Sequence, residues 1–185
     1  VRERYQLALT ALLTLPGIPQ LTYGNEVGMY GGADPDNRRM MPDWAFTPPF
    51  DEPDHPGFVS RPGVVWAHLH RLMEIRKQLP ALARGDYDEI WRQTDPKSPN
   101  VWAFVRHGAG EPVLVAVNNG DAGSGTLHLP LRGHFREGQE LVSVPLEFDP
   151  KTGRLMESVK NYQVQDGAIE LELKARGALI LTSKR

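Results

Sequence analysis

Apolar residues recur with a helical period in two stretches of the first half of the chain. Residues 1–15 and residues 64–79 each place apolar side chains three or four positions apart, with charged residues between them. Pro16 and Gly17 follow the first stretch and Pro80 follows the second, and residues of these types end helices. The pattern therefore predicts two amphipathic helices, each with an apolar face that another part of the molecule must cover.

Beyond residue 82 the period shortens to that of β-strands. Short alternating or apolar runs are separated by turn signals such as Asn119-Gly120 and Asp166-Gly167. Seven strands are predicted, at residues 90–93, 101–106, 113–118, 126–129, 140–144, 169–173 and 178–182. Strands of this length and spacing are typical of an antiparallel β-sandwich, which we expect over residues 82–185.

The stretch from residue 17 to residue 43 joins a short apolar run to a charged, glycine-rich segment. Ile18, Leu21 and Tyr23 are predicted to form a brief buried strand. A charged loop at the exit of a strand is the usual place for a site in α/β proteins. This loop is therefore the first candidate for function. Residues 45–63 contain five prolines and are predicted to form a long loop.

Composition excludes several classes of function. The chain of 185 residues has 21 basic and 23 acidic residues and a net charge of −2, so we expect no basic surface for nucleic acid. It contains no cysteine, which leaves the compartment open. The apolar part of residues 1–15 is shorter than the roughly 20 residues needed to span a bilayer. The sequence thus predicts neither a nucleic-acid partner nor a membrane partner.

Local spacing gives no motif for a metal or a cofactor. Asp34 and Asp36 are spaced like the first two ligands of a calcium-binding loop. Arg38 and Arg39, however, stand where that loop has its next ligand and its glycine. The nearby glycines do not follow the dinucleotide-binding pattern. His68 and His70 lie two apart on a predicted helix and so point in different directions. The sequence therefore predicts no cofactor and no metal ligand.

Three segments resemble the α-amylase family of glycoside hydrolases. Residues 16–28 are similar to the end of the eighth barrel strand of that family, and its Asp-Pro-x-Asn-Arg element follows at residues 34–38. Residues 69–87 and 101–118 resemble the last barrel helix and the start of the C-terminal β domain. Asn25 departs from the pattern, because the family usually has an acidic residue there. The three segments occur in the family's order, which makes the combination specific.

The resemblance implies a mixed fold made of two parts. Residues 1–81 would be the last segment of a (β/α)8 barrel, consisting of a helix, a strand, a loop and a helix. Residues 82–185 would be an all-β antiparallel sandwich domain. We expect the larger part of the barrel upstream of Val1. The helix faces of the first part would then contact the rest of the barrel or self-associate.

The resemblance also assigns roles to residues of the charged segment. Asp34 and Arg38 would bind glucose hydroxyls a sugar or two from the cleaved bond, on its non-reducing side, since carboxylate and guanidinium groups form several charge-assisted hydrogen bonds. Alternatively, they only pair with each other. Trp44 or Tyr30 would stack on a sugar ring or pack within the loop. The family takes its catalytic carboxylates from earlier strands, so no catalytic residue is predicted here; an acid–base pair of Glu26 and Asp34 is the alternative.

The predicted function is that of the C-terminal part of an α-glucan-acting glycoside hydrolase or transglycosylase, similar to neopullulanase or cyclomaltodextrinase. The intact parent would act on an α-glucan or maltooligosaccharide with retention, through a glycosyl-enzyme intermediate. This chain alone would be inactive. Two alternatives stay open: a non-catalytic carbohydrate-binding or interaction module, and a subunit that completes a barrel supplied by another chain.

Overall fold

Helices occupy the first part of the chain and strands the second. The computed structural model describes residues 1–46, 56–93, 100–149, 152 and 154–184. Three α-helices come first: α1 (Arg2–Thr14), α2 (Pro62–Gln78) and α3 (Pro80–Arg84). Eight strands follow: β1 (Asp86–Arg92), β2 (Val101–His107), β3 (Val113–Asn118), β4 (Thr126–Pro130), β5 (Glu140–Ser143), β6 (Asn161–Gln165), β7 (Ala168–Glu172) and β8 (Gly177–Ser183). None of the described helices has the length and apolar content required to cross a membrane.

The eight strands form one antiparallel sheet that bends at β6. Their hydrogen-bonded order is β1-β2-β3-β8-β5-β6-β7-β4. Residues 161–163 of β6 pair with β5, whereas residues 164–165 pair with β7. β4 contacts β1, so the sheet folds over into two layers around an apolar core. The predicted antiparallel all-β domain is confirmed.

β3 lies between two apolar clusters. All residues of this strand are buried. Val113, Val115 and Val117 belong to the cluster that includes α1 and α2, whereas Leu114 and Ala116 face the core between the two layers of the sheet. A strand buried on both faces needs a continuous apolar run rather than an alternation. The sequence of β3 supplies such a run.

The two long helices pack against each other and against the outer face of the sheet. Leu9 and Leu13 of α1 are buried with Leu72 and Ile75 of α2, and Phe104 of β2 belongs to the same cluster. From the sequence, we expect these helix faces to contact the rest of a barrel or a second copy. In the structure, the outer face of the β domain packs against these helix faces, and contact with the rest of a barrel or with a second copy stays a prediction.

One prediction of secondary structure is wrong, and one strand is missed. Residues 18–23 do not form a buried strand: Ile18 is 97% exposed and Tyr23 is 50% exposed. A strand needs a neighbour to pair its backbone groups, and among the described residues no strand lies beside this segment. The sequence pattern also misses β6, which is largely polar and owes its place to pairing with β5 and β7. Residues 47–55 of the predicted proline-rich loop lie outside the described residues.

The predicted turn at Asp166-Gly167 is confirmed. Both residues have positive φ, 52° and 69°, and they connect β6 to β7 with Gln165 opposite Ala168. Two positive φ angles in a two-residue hairpin loop match the right-handed twist of the flanking strands. This turn therefore fixes the register of β6 against β7.

Candidate functional site

The charged loop, residues 24–46, is held at its base by the segment that leads into α2. The N–H of Tyr30 donates to the carbonyl of Gly57 at 2.9 Å, and the N–H of Val59 donates to the carbonyl of Gly28 at 2.7 Å. Gly28 has φ 66°, and a Cβ at this position would lie 2.8 Å from the side chain of Val59. Glycine is therefore required here, both for the backbone angle and for the close approach.

Asp34 and Arg38 form an ion pair on the exposed part of the charged loop. The Nε atom of Arg38 lies 3.0 Å from Oδ1 of Asp34, and the two side chains are 77% and 63% exposed. The short 3-10 turn Asp36–Arg38 follows Asp34 and Pro35, and the Arg38 side chain reaches back to Asp34. The structure thus brings together the two residues that the sequence predicts for substrate binding. Their contact with a sugar stays a prediction.

Asp36 and Arg39 fix the shape of the charged loop. The Arg39 guanidinium donates to both carboxylate oxygens of Asp36, at 2.9 and 2.7 Å, and the N–H of Gly32 donates to the same carboxylate at 2.7 Å. The hydrogen bonds from Arg39 are the main cause that lowers the pKa of Asp36. Asp36 is therefore an anchor of the loop and keeps its charge through this pairing.

The charged loop contains one packed and two exposed aromatic side chains. Trp44, which is half-buried, packs edge-on against Phe58 with ring centroids 5.0 Å apart. Tyr30 is 56% exposed and Phe46 is 67% exposed. Phe46 is not among the residues predicted from the sequence, although an apolar residue in a charged segment is a signal that could have indicated it. Exposed aromatic rings can stack on the apolar face of a sugar.

The first turn of the charged loop is tied to α1. The hydroxyl of Tyr5 donates to the carbonyl of Asn25 at 2.8 Å, and the side-chain oxygen of Asn25 accepts a backbone N–H of the same turn at 2.8 Å. Burial raises the pKa of Tyr5, so the hydroxyl keeps its proton and remains a donor. Glu26 lies half-buried in this anchored turn, whereas Asp34 pairs with Arg38.

His68 and His70 of α2 point in different directions, as their spacing predicts. His68 is buried, with Nε2 3.0 Å from Thr10 Oγ1 and Nδ1 3.3 Å from the carbonyl oxygen of Leu146. Desolvation lowers the pKa of His68, which favours the neutral ring. His70 is exposed and stacks on Trp66 with ring centroids 5.2 Å apart. His68 therefore links α1, α2 and the segment after β5.

Trp102 belongs to an aromatic cluster formed by β1 and β2. Its ring centroid lies 4.9 Å from that of Phe104, and its Nε1 donates to the Glu89 carboxylate at 3.0 Å. The guanidinium of Arg92 lies 5.1 Å from the Trp102 ring and pairs with Glu89. These contacts indicate a structural role for Trp102, and the sequence does not reveal the cluster because its members come from two strands.

Comparisons with known proteins identify the β domain. Residues 91–184 match the family model described as alpha amylase, C-terminal all-beta domain. A cyclomaltodextrin glucanotransferase from Geobacillus stearothermophilus is 31% identical over 116 residues, which is 63% of this chain and 14% of that protein. An amylopullulanase from Thermoanaerobacter thermohydrosulfuricus is 28% identical over 192 residues, which covers 98% of this chain and 11% of that protein.

A solved structure matches the helical part as well as the β domain. The α-amylase from Geobacillus thermoleovorans, complexed with acarbose, superposes with a TM-score of 0.71 and 26% identity. The match covers 99% of this chain and 33% of that protein. This chain therefore spans a third of the solved relative, and only 11% to 14% of the two relatives compared by sequence. Together, the family match over residues 91–184 and the antiparallel domain found there show that this chain belongs to the alpha-amylase C-terminal all-β domain family, and so to the α-amylase family of glycoside hydrolases.

Proposed function

We propose that this chain is the C-terminal portion of an α-glucan-acting glycoside hydrolase or transglycosylase. Residues 1–81 would complete a (β/α)8 barrel, and residues 82–185 would form the β domain that follows it. Two observations support this proposal. The relatives named above are α-glucan-acting enzymes, and the solved α-amylase aligns with 99% of this chain, including the helices.

The observation that carries a substrate-binding role is the exposed Asp34–Arg38 pair on an anchored loop. A guanidinium has five N–H donors and a carboxylate has about four acceptor sites, so the single contact at 3.0 Å leaves both groups able to bind sugar hydroxyls. An exposed ion pair contributes little to stability. A sugar can therefore replace or bridge this contact at small cost, and Tyr30 or Trp44 would add a stacking surface.

The catalytic carboxylates are proposed to lie outside this chain. Retaining hydrolysis needs a carboxylic acid as proton donor, usually with a raised pKa, and a carboxylate about 5 Å away as nucleophile. Asp36 has a lowered pKa because of its hydrogen bonds to Arg39, which is the opposite of what a proton donor requires. Asp34 is paired with Arg38. The environment of Asp36 therefore does not favour general acid catalysis.

We predict that the 185-residue chain alone does not hydrolyse starch or maltooligosaccharides. The test is reducing-sugar release by the pure chain, with Glu26→Gln and Asp34→Asn variants assayed in parallel. Release of sugar that either variant abolishes would contradict the proposal, because it would place an acid–base pair within the charged loop. Release of sugar that neither variant changes would indicate a contaminating enzyme.

A fluorescence titration distinguishes the proposed fragment from a carbohydrate-binding module. Maltooligosaccharides should change tryptophan emission only weakly if the charged loop is one part of a larger substrate site. Saturable binding that Trp102→Phe removes, and Trp44→Phe does not, would favour a binding module in the β domain. Saturable binding that only Trp44→Phe removes would assign the contact to the charged loop.

A further inference from the structure

Asp88, His107 and His134 meet at one end of the β domain, although they are distant in sequence. Asp88 lies on β1, His107 is the last residue of β2, and His134 lies in the connection between β4 and β5. The Oδ2 atom of Asp88 is 2.9 Å from Nε2 of His134 and 3.3 Å from Nε2 of His107. The two imidazole rings have centroids 4.5 Å apart and planes 32° apart.

The fold fixes each of these side chains through its neighbours. Asp88 pairs with Val105 in the β1–β2 register, so His107, two residues further on, lies diagonally across from Asp88 on the same face. Ile90 and Phe135, close to Asp88 and His134 in the chain, are both buried in the core between the two layers. β4 contacts β1, which brings the β4–β5 connection to this end of the sheet. The three side chains therefore come from positions that the core defines.

The two imidazole nitrogens that face Asp88 are buried without being hydrogen-bonded. The side chains of His107 and His134 are 27% and 14% exposed. Their Nε2 atoms are shielded from solvent, and neither has hydrogen-bond geometry with a described residue. An N–H directed at the carboxylate would form a hydrogen bond at these distances. The two nitrogens and one carboxylate oxygen therefore lie close together without a hydrogen bond between them.

The spacing of these atoms fits a tetrahedral metal ion. Zinc binds imidazole nitrogen at about 2.0–2.1 Å and carboxylate oxygen at about 2.0–2.2 Å, which separates neighbouring ligand atoms by about 3.3 Å. The two nitrogen–oxygen distances, 2.9 and 3.3 Å, are close to this value, and one ligand atom from each residue lies within 4.8 Å of the others. A set of two imidazoles and a carboxylate suits zinc, whereas calcium and magnesium prefer oxygen ligands alone.

We propose that Asp88, His107 and His134 bind a divalent cation of the zinc class, with a fourth coordination position open to water. The ion would join β1, β2 and the β4–β5 connection, and so would connect the two layers of the sheet at this end. Because the unfolded chain does not hold these residues together, binding would stabilise the folded domain. This inference does not depend on the proposed function in α-glucan chemistry.

The test is isothermal titration calorimetry of the tag-free 185-residue chain with zinc chloride, in a buffer that does not chelate metals. We expect one ion per chain, and no comparable heat with magnesium or calcium chloride. His134→Asn and Asp88→Asn should each weaken zinc binding at least about tenfold, because each removes a direct ligand. The matched control is His128→Asn, since His128 is an exposed histidine 3.7 Å from one carboxylate, Glu170, and should bind zinc like the wild type.

Two results of the titration would overturn this proposal. One is a wild-type titration without saturable zinc binding, and the other is unchanged affinity in both His134→Asn and Asp88→Asn. Imidazole nitrogen NMR of the wild type gives a readout that does not require a variant to fold. Zinc should shift the resonances of His107 and His134 and leave those of His70 and His128 in place. Shifts confined to the exposed histidines would also overturn the proposal.

Discussion

Residues of the charged loop divide into those that hold its shape and those that face solvent. The Arg39 guanidinium donates two hydrogen bonds to the Asp36 carboxylate, which also accepts a backbone N–H. Asp34 and Arg38 form a single contact at 3.0 Å and are mostly exposed. Because such an exposed pair adds little to stability, substitutions at these two positions should report on ligand contact rather than on folding.

We predict that Arg38→Ala in the full-length parent lowers kcat/KM on a short maltooligosaccharide by about ten- to a hundredfold. The contact is proposed to hold a sugar remote from the reacting carbon, and if it is equally strong in the ground and transition states, most of the effect should appear in KM. Asp34→Ala should behave similarly. The double variant should lose less than the product of the two single effects, since each substitution already removes the other residue's partner.

Steady-state kinetics and circular dichroism check this prediction together. Arg136→Ala is the matched control, because Arg136 is an exposed arginine outside the charged loop. Kinetics of Arg38→Ala equal to those of the control would show that the pair is loop structure only. A fall in kcat by several orders of magnitude in a folded protein would instead place Arg38 among the catalytic residues.

At the scale of elements, one buried arginine joins two helices to the sheet. Arg106 of β2 is 1% exposed, and its guanidinium donates to the carbonyls of Thr14 at 2.5 Å, Leu82 at 2.8 Å and Gly85 at 2.7 Å. These carbonyls lie at the ends of α1 and α3, where helix carbonyls lack partners within the helix. Arg106 therefore supplies hydrogen bonds that neither helix can make for itself.

We predict that Arg106→Met lowers the free energy of unfolding by on the order of 3 kcal/mol, because it leaves several buried carbonyls without donors. Arg106→Lys should retain only part of the stability, since one ammonium group cannot reproduce the planar set of donors. Urea unfolding measures both effects. Arg92→Met on β1 is the control, because Arg92 forms an exposed ion pair; equal losses in Arg106→Met and Arg92→Met would contradict this role.

At the scale of the whole molecule, two apolar clusters share the same sheet. The inner cluster lies between its two layers, and the outer cluster lies between β2, β3, β8 and the helices. The strands at the centre are covered from both sides, whereas α1 has an exposed side that includes Ala8. The helical part is therefore fixed to the β domain, but through one face only. Contact with the rest of a barrel, and self-association, stay predictions.

We predict that hydrogen exchange is slowest in β2, β3 and β8 and faster in α1, because α1 can open locally while the core between the layers stays intact. The measurement is native-state exchange followed by mass spectrometry at low protein concentration. A concentration series is the control: protection of α1 that rises with concentration indicates self-association through the helices. Equal protection of α1 and β3 in the dilute monomer would contradict the prediction.

The candidate loop could be located from sequence because its motif is local. Asp34 and Arg38 lie four positions apart, and one short turn brings them together. The packing of Trp44 on Phe58 could not be predicted, since it depends on how the chain returns to the base of the loop. The same holds for the cluster that includes His134, whose three members lie on separate elements.

The sequence by itself indicated two helices and, approximately, seven of the eight described strands, because the period of apolar residues directly reflects which face of an element is buried. Tertiary structure decided that residues 18–23 have no strand partner among the described residues, whereas the polar segment of β6 pairs with both β5 and β7. It also decided that the sheet covers the helices and that Asp88 meets two histidines. Strand pairing and side-chain clusters depend on which distant segments meet, and no local periodicity records that choice.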